Sequence, residues 1–157
     1  FTTEETGGII GNGDITMDWI VHVLKRAVDT QYRTKADRRH TFLAGSSMGG
    51  LMTLYGLLAY PEVFSRGAAL SPSLWIDAEK VKAMIRHARV KRNTVLYMDY
   101  GALEFADHPH SRSLFAEVSA LLIEKRVLLN SRIVPRGTHC EASWEKQIPF
   151  FMKTLFE

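Results

Sequence analysis

A Gly-x-Ser-x-Gly sequence, from Gly45 to Gly49, stands where a strand pattern gives way to a helix pattern. Residues 40–44 are rich in β-favouring side chains, and residues 48–59 carry apolar side chains at helical spacing. A strand passes directly into a helix only through a very tight turn, so Gly45 and Gly49 are predicted at positions where a side chain would clash. Ser47 is then held in a strained backbone above the edge of a sheet.

The same alternation of strand and helix continues along the chain. Helices are predicted at 14–29, 48–59, 78–87, 109–125 and 142–156, and strands at 40–44, 67–71, 94–99 and 130–134. This order favours an α/β fold, a mostly parallel sheet with helices on both faces and reactive groups at the carboxyl ends of the strands. Residues 14–157 are expected to form one catalytic domain, with Asp14 as a helix cap, after an irregular lead-in at 1–13.

Composition excludes several classes of function. The 157 residues are 46% hydrophobic, enough for one domain with a core, and the net charge of +3 is spread too evenly for a nucleic-acid surface. No apolar run is long enough to span a membrane, so no membrane association is expected. Cys140 is the only cysteine, which excludes an intrachain disulfide and a cysteine zinc site. No signal sequence is visible, and a cytoplasmic location is favoured, although localisation stays open.

A serine hydroxyl needs a base to remove its proton, and imidazole, with an ordinary pKa of about 6.5, suits that task near neutrality. His139 follows the last predicted strand and precedes the last helix, at the edge where Ser47 emerges. Trp144 is expected to fix the His139 loop by packing. The remaining histidines fit surface or packing positions better: His22, His40, His87, His108 and His110.

The base in turn needs a carboxylate that fixes its tautomer and stabilises its cation. Three acids follow the strand at 94–99. Glu104 comes after a glycine turn and has the reach, Asp99 is also suited to anchoring the loop through backbone amides, and Asp107 is suited to capping the next helix. Chain order alone does not separate the three acids. On the roles just described, Glu104 is preferred, followed by Asp99 and then Asp107.

Further groups fall at the same edge. The helix that begins at Met48 points its first amides at the serine, so the Met48 N–H is predicted to bind an oxyanion. Trp75, Tyr100 and Phe105 either line an acyl or aromatic pocket or pack in the core and its rim. This chemistry requires no metal and no organic cofactor.

The order serine, acid, histidine is that of α/β-hydrolases. Beside the serine motif, the chain contains Tyr32-Arg33-Thr34, Ala36-Asp37-Arg38, Tyr60-Pro61-Glu62-Val63-Phe64, Ser71-Pro72-Ser73-Leu74-Trp75, and Gly137-Thr138-His139 with Trp144-Glu145. With these motifs the chain, from about Gly11, resembles the Putative esterase family, which includes enterochelin esterases, feruloyl esterases, S-formylglutathione hydrolases and mycolyltransferases. The resemblance implies Ser47 as nucleophile and His139 as base. It favours Glu104, because the acid of these relatives follows a strand-Gly-x-x-Asp/Glu pattern like Gly101-Ala102-Leu103-Glu104.

The resemblance also implies strands that precede the serine strand and a loop with a second oxyanion donor. No segment before Asp14 has a strand pattern, so the chain is expected to form the C-terminal portion of an α/β-hydrolase fold with an open sheet edge. Gly7-Gly8 or residues 11–13 offer a substitute donor loop, but a flexible lead-in is favoured. A longer protein, a second chain that supplies the strands and a homo-oligomer all stay open.

These residues predict a serine carboxylic-ester hydrolase that acts on a small-molecule ester through an acyl-enzyme. Two alternatives stay open. One is an acyltransferase of the same family, in which an alcohol replaces water, and the other is a non-catalytic interaction module on a hydrolase scaffold.

Overall fold

The structure, a computed structural model, describes residues 11–107 and 110–157, apart from the side chain of Asp107. Its four strands form one parallel sheet in the order β1-β2-β3-β4, which confirms the predicted parallel arrangement. The strands are β1 (Phe42–Ser46), β2 (Arg66–Leu70), β3 (Val95–Gly101) and β4 (Leu128–Val134).

Eight α-helices lie within the described ranges, none of them long and apolar enough to cross a membrane. A π-helical turn, Ile20–Leu24, joins the first two into one rod, and 3₁₀ turns occur at Arg38–His40 and Leu74–Asp77. The α-helices are α1 (Gly13–Trp19), α2 (Lys25–Gln31), α3 (Met48–Ala59), α4 (Ala78–His87), α5 (Glu104–Asp107), α6 (Ser111–Glu124), α7 (Glu141–Glu145) and α8 (Ile148–Phe156).

Strand alternation divides the core between the two faces of the sheet. Leu96, Met98 and Tyr100 of β3 belong to the larger cluster, which also contains residues of α3, α4 and α6. Tyr97, between them, points to the other face and packs with Leu155 of α8. Helices therefore cover both faces, as predicted.

Two details of the predicted helices were wrong. The first helix begins at Gly13, one residue before its predicted start, but Asp14 does not cap it: among the described residues the Asp14 carboxylate accepts the N–H of Ile15 alone. The helix expected at 142–156 is two helices, α7 and α8. Pro149 near the start of α8 has no N–H to donate, so the hydrogen-bond ladder of α7 cannot run through it.

All four predicted strands occur, but each differs from its predicted bounds by one or two residues, and the first and last strands start two residues away. His40 lies in a 3₁₀ turn because Asp37 holds it there, accepting the Arg39 N–H and bonding the His40 ring. The first strand therefore starts at Phe42 and runs on to Ser46, and the last begins at Leu128 instead of Asn130.

β1 lies at one edge of the sheet, as expected. Among the described residues it pairs with β2 alone, so the backbone groups along its other side can accept a further strand. Residues 1–10 of the lead-in predicted at 1–13 lie outside the described ranges, and the source of such a strand stays a prediction.

The turn between β1 and α3 depends on one of its two predicted glycines. A Cβ atom on Gly45 would lie 2.5 Å from the carbonyl carbon and oxygen of Gly49, closer than real Cβ atoms approach. A Cβ atom on Gly49 would meet nothing within 4 Å, so the predicted clash there is wrong. The steric restriction falls on the last residues of the strand, because they pass over the first turn of the helix.

We expect Gly45→Ala to lower the free energy of unfolding by about 1–3 kcal/mol, because the added methyl group must push β1 away from α3. Gly49→Ala is the matched control and is expected to be neutral or to stabilise by up to about 1 kcal/mol, since alanine favours helix. Equilibrium unfolding in urea compares the two variants. Equal losses in both would contradict this account of the turn.

Candidate active site

Ser47 connects β1 to α3 with φ at 55° and ψ at −121°, a conformation that side chains rarely adopt. Its backbone is fixed on both sides: the Ser47 N–H donates to the Leu70 carbonyl, and the Ser47 carbonyl accepts from Leu51 and Ser73. The strained turn therefore has a fixed position at the carboxyl edge of the sheet, beside the end of β2.

The structure brings Ser47, His139 and Glu104 together. The Ser47 Oγ atom lies 2.9 Å from His139 Nε2, and His139 Nδ1 lies 2.7 Å from Glu104 Oε2. The Glu104 side chain is 4% exposed and that of His139 is 43% exposed. A buried carboxylate, a half-exposed imidazole and a serine hydroxyl thus form one chain of hydrogen bonds.

Glu104 is the first residue of α5, whereas the sequence predicted a loop position. Its Oε1 atom accepts the Gly101 N–H and the Ser71 hydroxyl, both at 2.7 Å, which leaves Oε2 for the histidine. Both oxygens therefore have partners, as a buried carboxylate requires.

The segment between β3 and α5, which leads to Glu104, touches the segment before His139 through the backbone. A Cβ atom on Gly101 would lie 2.4 Å from the carbonyl carbon and oxygen of Gly137, so the two backbone segments approach as closely as glycines permit. The Leu103 N–H donates to the Gly137 carbonyl at 3.0 Å. This contact sets the distance between the acid and the imidazole.

Asp99 bonds to groups other than the histidine. Its Oδ1 accepts the Ser71 N–H at 3.1 Å and its Oδ2 accepts the Tyr97 hydroxyl at 2.7 Å. The bond to a backbone amide matches the anchoring role considered from the sequence. Asp107 ends α5, and its predicted helix cap lies outside the described residues.

Burial raises the pKa of Asp99 above its ordinary value, and the Tyr97 and Ser71 bonds oppose this only in part. The folded chain thus holds this proton more tightly than the unfolded chain. Asp99 therefore stabilises the fold most below the unfolded pKa of about 3.9, and this contribution is lost as pH rises through the folded pKa.

We expect Asp99→Asn, which cannot ionise, to gain stability relative to the native chain as pH rises from about 4 toward neutrality. Urea unfolding of both proteins over this pH range measures the difference. A stability difference that does not change with pH would contradict the raised pKa.

The remaining predicted groups divide between the site and the core. Met48 opens α3, where first-turn amides have no acceptor inside the helix, and its side chain is exposed. Trp75 is 38% exposed and lies two residues after Ser73.

Tyr100 is only 3% exposed, its hydroxyl donates to the Pro72 carbonyl, and its ring stacks on Phe105 at 5.6 Å. Tyr100 is therefore a core residue, and the pocket alternative fails for it.

Trp144 contacts the imidazole as predicted: the two ring centroids are 4.9 Å apart and the rings are nearly perpendicular.

Two contacts of the site were not predicted from the sequence. The Ser71 hydroxyl bonds Glu104, and the Ser73 Oγ atom lies 3.4 Å from Ser47 Oγ. The signal was present, because Ser71 ends a predicted strand at the carboxyl edge and Ser73 follows it.

Over the part of the chain that the structure describes, no group of three or more histidine, cysteine or acidic side chains is placed to hold a metal ion.

Comparison with known proteins identifies the family of this chain. The family model described as "Putative esterase" matches residues 14–152. The Iron(III) salmochelin esterase of Escherichia coli O6:H1 is 38% identical over 79 residues, which are 49% of this chain and 19% of that protein. The Siderophore triacetylfusarinine C esterase of Aspergillus fumigatus is 29% identical over 105 residues, which are 63% of this chain and 35% of that protein.

The fold also matches solved structures. The crystal structure of an enterochelin esterase from Shigella flexneri superposes with a TM-score of 0.74 at 23% identity, covering all of this chain and 40% of the other. The chain thus spans less than half the length of each of these three proteins. The family match over most of the chain and the shared fold confirm the predicted resemblance, and the chain belongs to the Putative esterase family, of the α/β-hydrolase type.

Proposed function

We propose that the chain is a serine carboxylic-ester hydrolase that works through an acyl-enzyme. The observation that carries the proposal is the unbroken set of hydrogen bonds from Ser47 Oγ through His139 to Glu104, at 2.9 and 2.7 Å. Nucleophile, base and orienting acid are within the distances that such a reaction needs. The family membership supports action on esters.

In the first half of the reaction, Ser47 Oγ attacks the ester carbonyl carbon while its proton passes to His139 Nε2. Glu104 holds the other ring nitrogen and stabilises the cation that forms. The carbonyl oxygen becomes an oxyanion, and the Met48 N–H at the start of α3 donates to it. The carbon–oxygen bond to the leaving alcohol then breaks, and the alcohol takes the proton from His139.

In the second half, water replaces the alcohol. His139 removes a proton from the water, the resulting hydroxide attacks the acyl carbon, and the bond to Ser47 Oγ breaks as His139 returns the proton to the serine. This step needs a water path to the imidazole, and the 43% exposure of the His139 side chain provides one.

The two curated relatives are named as esterases of iron(III) salmochelin and of the siderophore triacetylfusarinine C. We therefore propose siderophore esters as the first natural substrates to test, beside activated aryl esters as a general probe.

Fluorophosphonate labelling followed by intact-mass analysis tests the proposal. One equivalent of label on the native chain and hydrolysis of p-nitrophenyl acetate are expected. Transfer of the acyl group to an added alcohol in preference to water would identify an acyltransferase instead. Absence of both labelling and turnover would favour a non-catalytic module.

A further inference from the structure

We propose that Ser71 is a positioning residue that holds Glu104 and His139 in register, an inference about the mechanism that rests on the proposed function. Ser71 follows β2 directly and is 1% exposed. It lies beside the candidate site without touching Ser47 Oγ or the imidazole through any polar contact in the described ranges.

The Ser71 hydroxyl has one donor proton, and geometry directs it to the acid. Its Oγ lies 2.7 Å from Glu104 Oε1, while the Trp144 Nε1–H donates to the same Oγ at 3.0 Å. Because an indole N–H can only donate, the serine must accept from Trp144 and donate to Glu104. The direction of both bonds is thus fixed.

This pair of bonds links the acid to the packing partner of the base. Trp144 stands edge-on against the His139 ring at 4.9 Å, and Glu104 Oε2 bonds His139 Nδ1. A closed ring of contacts therefore runs from Ser71 to Glu104, His139, Trp144 and back. Rotation of the carboxylate would break the Ser71 bond, and a tilt of the imidazole would disturb Trp144.

The backbone of Ser71 is held at an unusual conformation. Its φ is 40°, a region that costs free energy for any residue with a Cβ atom. Its N–H is held by the Asp99 carbonyl at 3.0 Å and by the Asp99 carboxylate at 3.1 Å. Glycine at this position would relieve the strain, so the backbone conformation does not explain why the residue is serine. The hydrogen bonds of the hydroxyl explain it.

Two variants separate positioning from a merely structural role. Ser71→Ala removes the hydroxyl and keeps the strain, whereas Ser71→Gly removes both. A structural role predicts that Ser71→Gly behaves better than Ser71→Ala in every assay. A positioning role predicts that both variants lose ester turnover to the same degree, although Ser71→Gly unfolds at a higher urea concentration than Ser71→Ala.

The primary measurement is proton NMR of the His139 Nδ1–H, which does not need turnover. The native chain is expected to show a far-downfield proton resonance that Glu104→Gln abolishes. Both Ser71 variants are expected to broaden or lose it, since the carboxylate is no longer fixed. Trp144→Phe, which keeps a ring beside His139 without the N–H donor, is expected to retain a weakened resonance.

Kinetics form the second measurement. We expect both Ser71 variants to lower kcat roughly 10- to 100-fold with little change in KM, the effect of a misplaced catalytic group. Ser65→Ala is the matched control, because Ser65 is also buried, at the other end of β2, with no described partner for its hydroxyl. It is expected to leave the resonance and kcat unchanged.

The outcomes of the two proposals can be told apart. An intact resonance in both Ser71 variants, or no such resonance in the native chain, would overturn the positioning role. If the native chain is neither labelled by fluorophosphonate nor active, while the resonance depends on Ser71, the proposed function fails and the positioning role of Ser71 stands.

Discussion

Ser47→Ala is expected to lower ester turnover by at least about 10⁴-fold, the order of loss when a serine nucleophile that works with a histidine is removed. The large effect follows from the geometry, because the Ser47 hydroxyl bonds the His139 ring directly at 2.9 Å. The measurements are kcat/KM for p-nitrophenyl acetate and the stoichiometry of fluorophosphonate labelling. Labelling is expected to disappear together with turnover.

The control for this prediction is Ser113→Ala, which removes an exposed hydroxyl on α6 whose partner among the described residues is the His110 carbonyl alone. It should take up one equivalent of label at the native rate. An adduct of unchanged stoichiometry on Ser47→Ala would contradict the assignment. Ser73 would then be the first residue to examine, because its Oγ lies 3.4 Å from Ser47 Oγ.

The sequence predicted the position of Ser47 because the turn has a local cause. A strand that passes directly into a helix must bring backbone close to backbone, and Gly45 marks that contact. The motif did not show which other glycine is restricted. A Cβ atom on Gly50 would lie 2.9 Å from the Leu70 carbonyl oxygen of the neighbouring strand, whereas Gly49 faces open space. A contact between a helix and a neighbouring strand cannot be read from the local sequence pattern.

The burial of Tyr100 does have a local signal. Side chains on a strand alternate between the faces, so Tyr100 shares a face with Leu96 and Met98. Both of those side chains are fully buried, and Tyr100 lies in the same cluster. Strand alternation alone therefore favours the core over the pocket for this tyrosine.

The local sequence favoured Glu104 but did not settle the choice among the three acids. Asp99, Glu104 and Asp107 fall within nine residues, and each lies near the same end of β3. Glu104 is distinguished by the approach of Gly101 to Gly137, a contact between segments 36 residues apart in the sequence. Helix α5 has only four residues, too few to show a helical period.

Glu104→Gln is expected to lower kcat/KM by roughly 10²-fold or more, since a neutral amide cannot stabilise the imidazolium that forms during attack. The amide also has only one acceptor oxygen where the carboxylate has two, so it cannot keep all three hydrogen bonds. Oε1 of Glu104 accepts two donors, Gly101 N–H and Ser71 Oγ–H, and Oε2 faces His139 Nδ1. If the amide oxygen stays with the two donors, its NH₂ group meets the ring N–H and favours the wrong tautomer.

Asp99→Asn is the matched control for this prediction, because both substitutions replace a buried carboxylate by its amide. The amide oxygen introduced by Asp99→Asn can still accept the Ser71 N–H, and the Tyr97 hydroxyl can turn toward Gln147 Oε1 at 3.4 Å. A mild effect on turnover is therefore expected, although the stability changes with pH. If Asp99→Asn proved the damaging change while Glu104→Gln were mild, the acid of this site would be Asp99, and the short contact between Glu104 and His139 would have no part in the chemistry.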